Sequence, residues 1–282
     1  MLPRDHNHNC AVTAAARPLR IRDVEDGLAP GRLGTRFHYF REIDSTNNYA
    51  RALAERGEPQ GAIIIAERQT LGRGRLGRRW VSPPYVNLYC SIILRPTLPP
   101  AHTPRITLTA AVALADTIES FGPVAPVIKW PNDILAGDKK LAGVLTEAVS
   151  NSQRVEFVIL GIGVNLNFPL DSMPPEIRER ATSLSVLAGK SVSREGFLRR
   201  LIQDLDRCYG ILEETGFAAL APRWDARFGL RGRRVRVEMT DRNIIGRAIG
   251  IDADGALIIE SPDGGRQRIV AGDVIPVEEC DN

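Results

Sequence analysis

Apolar residues along this chain follow two textures that change over near Gly232. Before that point, short branched runs alternate with longer stretches of helical spacing. Phe37 to Ile43 predicts a strand. Ser45 or Thr46 then opens a helix carrying Tyr49, Ala50, Leu53 and Ala54 on one side and stopping at Gly57. The runs at 62–67 and 87–94 predict buried strands. A helix over 105–120 follows from the broad apolar face of Ile106, Leu108, Ala111, Val112, Ala115 and Ile118. Val127 to Trp130 is a short strand that runs into Pro131, Asn132 and Asp133. Ile134–Leu135 and Leu141–Ala148 predict strands turning at Gly137-Asp138, and Val155 to Asn165 a long buried strand broken by Gly161 and Gly163. Helices are expected at 182–188, 194–214 and 218–228. Beyond Gly232, five short runs between Asp/Gly turns (234–237, 244–251, 256–260, 266–270, 274–277) predict a small β-barrel. The fold class is therefore α+β: a mixed sheet with packed helices in a main domain at 36–230, and a barrel at 231–282.

Residues 1–35 show weak periodicity and are rich in Arg, Pro, Gly and Ala, which predicts a flexible arm. His6 and His8 on such an arm make a poor metal site. With 37 basic and 34 acidic residues the net charge is +3, too balanced for a general nucleic-acid binder. Cys10, Cys90, Cys208 and Cys280 have no metal-ligand spacing and are too few for a disulfide scaffold, so a reducing cytoplasm fits. No run of 18 apolar residues offers a membrane span, and the start of the chain lacks a continuous apolar signal core.

One segment carries unusual chemistry. Gly72-Arg73-Gly74-Arg75-Leu76-Gly77-Arg78-Arg79-Trp80 packs three glycines and four arginines into nine residues. Glycine lets a backbone turn and approach a ligand closely, and arginine forks suit phosphate and carboxylate oxygens. Gly/Arg runs also occur in nucleic-acid-binding tails. Here the run hangs between two predicted core strands, which places it as a lid at the rim of a folded site.

With that lid, Asp44-Ser45-Thr46-Asn47, Lys129-Trp130-Pro131-Asn132-Asp133, Lys140 to Glu147 and Gly161 to Asn167 form five motifs in a fixed order. In these motifs the chain resembles the biotin protein ligases over roughly residues 37–280. The resemblance implies a class II aminoacyl-tRNA synthetase-like catalytic fold followed by an SH3-like barrel. It also implies a two-step reaction: biotin and MgATP give biotinyl-5′-AMP and pyrophosphate, and biotin then passes to one lysine of a biotin carboxyl carrier domain of a carboxylase. Leu76 stands where the family often has a basic side chain. By the same match, Ser45, Thr46, Asn47, Gln69, Arg73, Gly74, Arg75 and Lys140 line the biotin site. Arg73, Arg75, Trp80, Asn132, Lys140 and Asn165 line the adenylate site. Arg75, Lys140 and Asp133 are the catalytic candidates. Sheet edges in the family pair into dimers or dock the carrier, which leaves a homodimer open.

The residue types suit that chemistry. Ser45 and Thr46 at a helix start offer hydroxyls and N–H groups, though a Ser there is also an ordinary N-cap. Gln69 both donates and accepts, as a ureido group requires. Lys139 and Lys140 are neighbours on a strand, so only one faces the site, and Lys140 holds the family position. Asn132 and Asp133 suit either Mg²⁺–phosphate or the incoming lysine amine. Gly161 and Gly163 permit close backbone approach, and Asn165 suits the ATP ribose or triphosphate or a plain turn. Residues 1–35 are too short for a winged helix-turn-helix, so no sequence-specific DNA binding is expected.

Overall fold

The computed structural model describes residues 17–239 and 242–277; His6, His8, Cys10 and Cys280 lie outside them. The described chain opens with one helical turn, α1 (Ile21–Glu25), and then builds a seven-stranded sheet in the order β1-β2-β3-β7-β6-β5-β4. Strand β1 (Arg36–Ile43) lies parallel to β2 (Ala62–Gln69), because α2 (Thr46–Glu55) returns the chain between them. Strands β3 (Leu88–Leu94), β4 (Pro126–Lys129), β5 (Asp133–Ala136), β6 (Lys139–Ser150) and β7 (Val155–Val164) are antiparallel to their neighbours. The sheet is mixed, as the sequence pattern predicts.

Both faces are covered, which is why β2 reads as a continuous apolar run instead of an alternating one. Ile63 and Ile65 join the core under α3 (Pro104–Glu119), while Ala62 and Ile64 pack with Ala50 and Ala54 of α2 on the opposite face. Two short helices, α4 (Pro175–Arg178) and α5 (Leu184–Ala188), lead into the long α6 (Arg194–Thr215), which packs on α3. The helix expected at 218–228 is instead a 3₁₀ turn at Phe217–Ala219 and a five-residue α7 (Ala221–Asp225). Pro222 near the start of α7 forbids a continuous hydrogen-bond ladder through this stretch.

The C-terminal unit is a five-stranded antiparallel sheet ordered β11-β10-β9-β8-β12. Its strands are β8 (Arg234–Glu238), β9 (Asn243–Ile251), β10 (Leu257–Glu260), β11 (Arg266–Ile269) and β12 (Asp273–Pro276). Along β9, buried Ile244, Gly246 and Ala248 alternate with exposed Asn243, Ile245 and Arg247, the period of a strand with one solvated face. This unit is tied to the body by specific groups. Trp130, buried at the end of β4, donates its indole N–H to the Gly255 carbonyl at 3.0 Å. Arg105 at the start of α3 pairs with Asp254 at 2.7 Å.

The expectation of a flexible arm over 1–35 needs correction where the residues are described. Leu19, Val24 and Leu33 are buried in the main core, and α1 packs on α6. The Leu19 N–H donates to Glu67 at 2.6 Å, the Arg17 carbonyl accepts from Arg194 at 2.8 Å, and the Leu33 N–H donates to Asp206 at 2.8 Å. A five-residue helix is marginal alone, so its order comes from these tertiary contacts and leaves no periodic signal in the sequence.

Glu67 is fully buried within β2 and is satisfied from three sides. Arg194 reaches its two oxygens at 2.7 and 3.1 Å, and the Tyr39 hydroxyl donates at 2.8 Å. Removing the arginine strands a buried carboxylate. Arg194→Leu is expected to cost about 3–5 kcal/mol of stability, read as a lowered urea midpoint. An unchanged midpoint would show that the pair contributes nothing.

Candidate active site

A cleft of about 1140 Å³, counting its open mouth, lies on the α2 side of the sheet. Five cations (Arg73, Arg75, Arg78, Arg79 and Lys140) line it against two carboxylates (Asp133 and Asp273). That excess suits a polyanionic ligand. Its floor is glycine: Gly161 pairs with Ser91 of β3 across one ladder, and Gly163 with Gly143 of β6 across the other. The Trp80 ring lies on Gly163, where an added Cβ would sit 2.6 Å from the indole. At Gly161 an added Cβ would sit 2.2 Å from Asn47 Oδ1. Both positions need glycine for room, since neither has a positive φ.

The inner end of the cleft is neutral and polar. Ser45 occupies the N-cap position of α2, yet its hydroxyl makes no cap bond. The cap acceptor is Gln69 Oε1, which takes the Thr46 N–H at 2.9 Å and lies 3.1 Å from the Thr46 hydroxyl. Gln69 Nε2 donates to Ser82 at 3.1 Å. Ser91 Oγ lies 2.7 Å from Thr46 Oγ1 and 2.6 Å from Asn47 Oδ1. Ser45, Thr46, Asn47 and Ser91 are all buried, so this is a preorganised strip and not a wetted surface.

The outer end is cationic. Lys140 Nζ sits 2.7 Å from Asp133 Oδ1, off the hydrogen-bond direction, and 5.3 Å from the Trp80 ring centre. Lys139 beside it is exposed, as the alternation of a strand requires. The lid is a hairpin held by Trp80 N–H to Gly72 carbonyl at 2.9 Å and Gly74 N–H to Arg78 carbonyl at 2.7 Å. Its tip places Leu76 in the left-handed region at φ 55°, 68% exposed, so this residue makes no charge contact. Arg73 donates to Glu147 and Asn48, each at 2.8 Å. Arg75 donates to Asn132 Oδ1 at 3.1 Å and to the Gly272 carbonyl of the C-terminal unit at 3.2 Å. Burial pulls the Arg75 guanidinium below its usual value, with Asp273 and Asp133 opposing the shift. It remains charged at any working pH. Arg78 pairs with Asp273.

The sequence-predicted residues thus converge. Ser45, Thr46, Asn47, Gln69, Arg73, Gly74, Arg75, Trp80, Asn132, Asp133, Lys140 and Asn165 all line one cleft. Besides Asn47 and Gln69, two of them have their polar atoms already engaged by the chain. Asn165 donates to the Thr182 carbonyl at 3.1 Å and accepts from Asn87 at 3.4 Å. Asn132 accepts from Arg75 and donates to the Val144 carbonyl at 2.9 Å. Four participants escaped the sequence reading: Ser91, Glu147, Ser82 and Asp273. Ser91 left a signal, a hydroxyl within the apolar run Leu88–Leu94. Asp273 left none, because it belongs to the other domain. Cys90 on the cleft wall is buried, and burial pushes its thiol up to about 12, so it acts as a small apolar surface and not as a nucleophile.

A mixed sheet carrying a cationic lid over a polar-ended cleft, with a small all-β unit touching the lid, defines a ligase catalytic domain with a C-terminal cap. Family comparison agrees. The model described as Biotin/lipoate A/B protein ligase family matches residues 39–165, and that described as Biotin protein ligase C terminal domain matches residues 231–275. The Bifunctional ligase/repressor BirA of Bacillus spizizenii is 35% identical over 252 residues, 89% of this chain and 77% of that protein. A Biotin--[acetyl-CoA-carboxylase] ligase of Mycobacterium tuberculosis is 34% identical over 266 residues, 92% of this chain and 96% of its own length. The structure of the biotin protein ligase from Aquifex aeolicus in complex with biotin and ATP superposes with a TM-score of 0.73 at 28% identity, covering 86% of this chain and 98% of that one. The chain belongs to the biotin protein ligase family.

Proposed function

We propose that this cleft activates biotin with ATP and hands it to a protein lysine. The chain is an ATP-dependent biotin ligase in this reading. One observation carries it: a neutral hydrogen-bonding strip and a cationic end share one glycine floor under one lid. Biotin has a ureido ring at one end, an apolar bicycle, and a carboxylate at the other. The strip at Ser45, Thr46 and Gln69 suits the ureido ring, and Trp80 with the glycine floor suits the apolar body. Lys140, Arg73 and Arg75 await the carboxylate and the phosphates.

In the first step a carboxylate oxygen of biotin attacks the α-phosphorus, and the bond to the bridging oxygen breaks to release pyrophosphate. Two anions must meet, so catalysis is positioning plus cationic stabilisation. Lys140 is the point charge placed to bridge carboxylate and α-phosphate. In the second step a lysine amine attacks the acyl carbon and AMP leaves. The amine must shed a proton, and Asp133 is the carboxylate at hand for it. Between the two steps the lid excludes water that would hydrolyse the mixed anhydride.

Mg²⁺ fits as a companion of ATP and not as a resident ion. Among the described residues no group of three His, Cys, Asp or Glu side chains can hold a metal, while Asp133 offers one carboxylate, the usual protein share for a Mg²⁺–phosphate pair. With Asn132 already engaged, Asp133 is the residue that would hold it. The ion would neutralise the departing pyrophosphate.

The test is incubation with biotin, MgATP and a biotin carboxyl carrier domain, followed by mass measurement of the acceptor. One added biotinyl group is expected. Transfer of lipoate in preference to biotin would move the chain to the other branch of the wider family; the match at 231–275 to a model described as Biotin protein ligase C terminal domain supports biotin. Duplex DNA is expected to show no site-specific, salt-sensitive retention.

A further inference from the structure

A lid with four arginines closes over a cleft that also holds Lys140. Like charges repel, so acids have to hold such a lid in place. At its outer end the acid is Asp273, which pairs with Arg78 and lies 3.8 Å from Arg75. Asp273 itself lines the cleft, so it has to share its arginines with an arriving polyanion. At the inner end the acid is Glu147, which stands elsewhere. Gly143 and Leu145 of β6 line the cleft, and Glu147 continues the same face two residues further on, past the end of the lining. Its side chain is only 16% exposed.

Arg73 sits on the first arm of the lid, bridged to Arg79 on the second. One end of its fork donates to Glu147 Oε1 at 2.8 Å, and the other to Asn48 Oδ1 at 2.8 Å. Asn48 is turned to receive it by Asp44, which accepts the Asn48 amide N–H at 2.7 Å. The fork is thus received by β6 and by α2, both parts of the rigid body. These contacts take two of its five N–H groups, so they aim the guanidinium without consuming it. Glu147 is fixed in turn, because its Oε2 accepts from Asn47 Nδ2 at 2.8 Å. Arg51 adds a second cation 3.9 Å from Oε1.

We propose that Glu147 is a positioning residue for the lid: from outside the cleft it holds Arg73, and through Arg73 the inner arm of the lid, over the bound adenylate, without competing with the phosphates. The proposal rests on the biotin reading, since the adenylate is what the lid retains.

The rival role for Glu147 is support of α2 through Asn47, and a double-mutant cycle separates the two. Each variant is loaded with labelled biotinyl-5′-AMP and diluted into unlabelled adenylate, and escape of the label is timed. Glu147→Ala is expected to speed escape about fivefold, the loss of one charged hydrogen bond in a half-exposed pair. Arg73→Ala should leak at least as fast, because it loses Asn48 as well. In the Arg73→Ala background, adding Glu147→Ala should change escape less than twofold. The contact to Asn47 is lost equally in both backgrounds and cancels. Escape at the wild-type rate from Glu147→Ala overturns the proposal, and so does a fivefold effect of Glu147→Ala that persists without Arg73. If Glu147→Ala does not fold, Glu147→Gln takes its place in the same cycle, since it keeps an oxygen for Asn47 and drops the charge. Its effect on escape should likewise vanish in the Arg73→Ala background, and an equal effect in both backgrounds overturns the proposal. Wild-type protein that makes no adenylate from biotin and MgATP removes the biotin reading itself, which separates the two failures.

Discussion

Lys140→Ala is expected to lower biotin-dependent pyrophosphate release by about 10²- to 10³-fold, the usual cost of deleting one preorganised charge or donor at a developing anion. The fold should survive. The Lys140 backbone is held independently of its side chain, its N–H donating to the Arg180 carbonyl at 2.8 Å and its carbonyl accepting from Thr182 at 3.0 Å. The side chain touches Asp133 and the face of Trp80, both on the cleft. Its loss removes the cation between two anions that must approach, and leaves Asp133 adding a third negative charge. Circular dichroism matching wild type together with near-normal pyrophosphate release would exclude Lys140 from the chemistry.

The second large effect is expected at the lid. Arg75→Gly severs contacts on both sides of the cleft mouth, to Asn132 in the body and to Gly272 in the C-terminal unit. Hydrogen bonds from a charged donor contribute about 1.5–3 kcal/mol each. Losing even one of them should speed escape of free biotinyl-5′-AMP about tenfold or more. The released anhydride acylates any exposed lysine, so the readout is biotin on a bystander protein such as serum albumin mixed into the assay. Retention of the adenylate at the wild-type rate, with no bystander labelling, would show that the lid does not guard it.

Most of the architecture was legible because the local signals and the global fold agree. The apolar stripe of α3, the turn at Gly137-Asp138, and the change of texture at Gly232 each correspond to an element. The gathering of the motif residues around one cleft was also legible, since a strand end and the loop after it project together. What escaped falls into two physical kinds. Segments ordered only by tertiary contact, such as α1, carry no periodicity. Partners contributed from far away, such as Asp273 to Arg78, have no local signature. Glu147 is intermediate: it closes the stretch that starts at Lys140, yet nothing in a β-strand pattern says that its carboxylate reaches both Arg73 and Asn47.

Segment 17–33 has a practical consequence for anyone shortening this protein. A version started at Arg36 for crystallisation would strip the cover from α6 and leave Asp206 and Glu67 each without a backbone N–H that they now receive. Such a truncation is expected to precipitate or to melt several degrees early. An affinity tag belongs ahead of Arg17, where it leaves that cover in place.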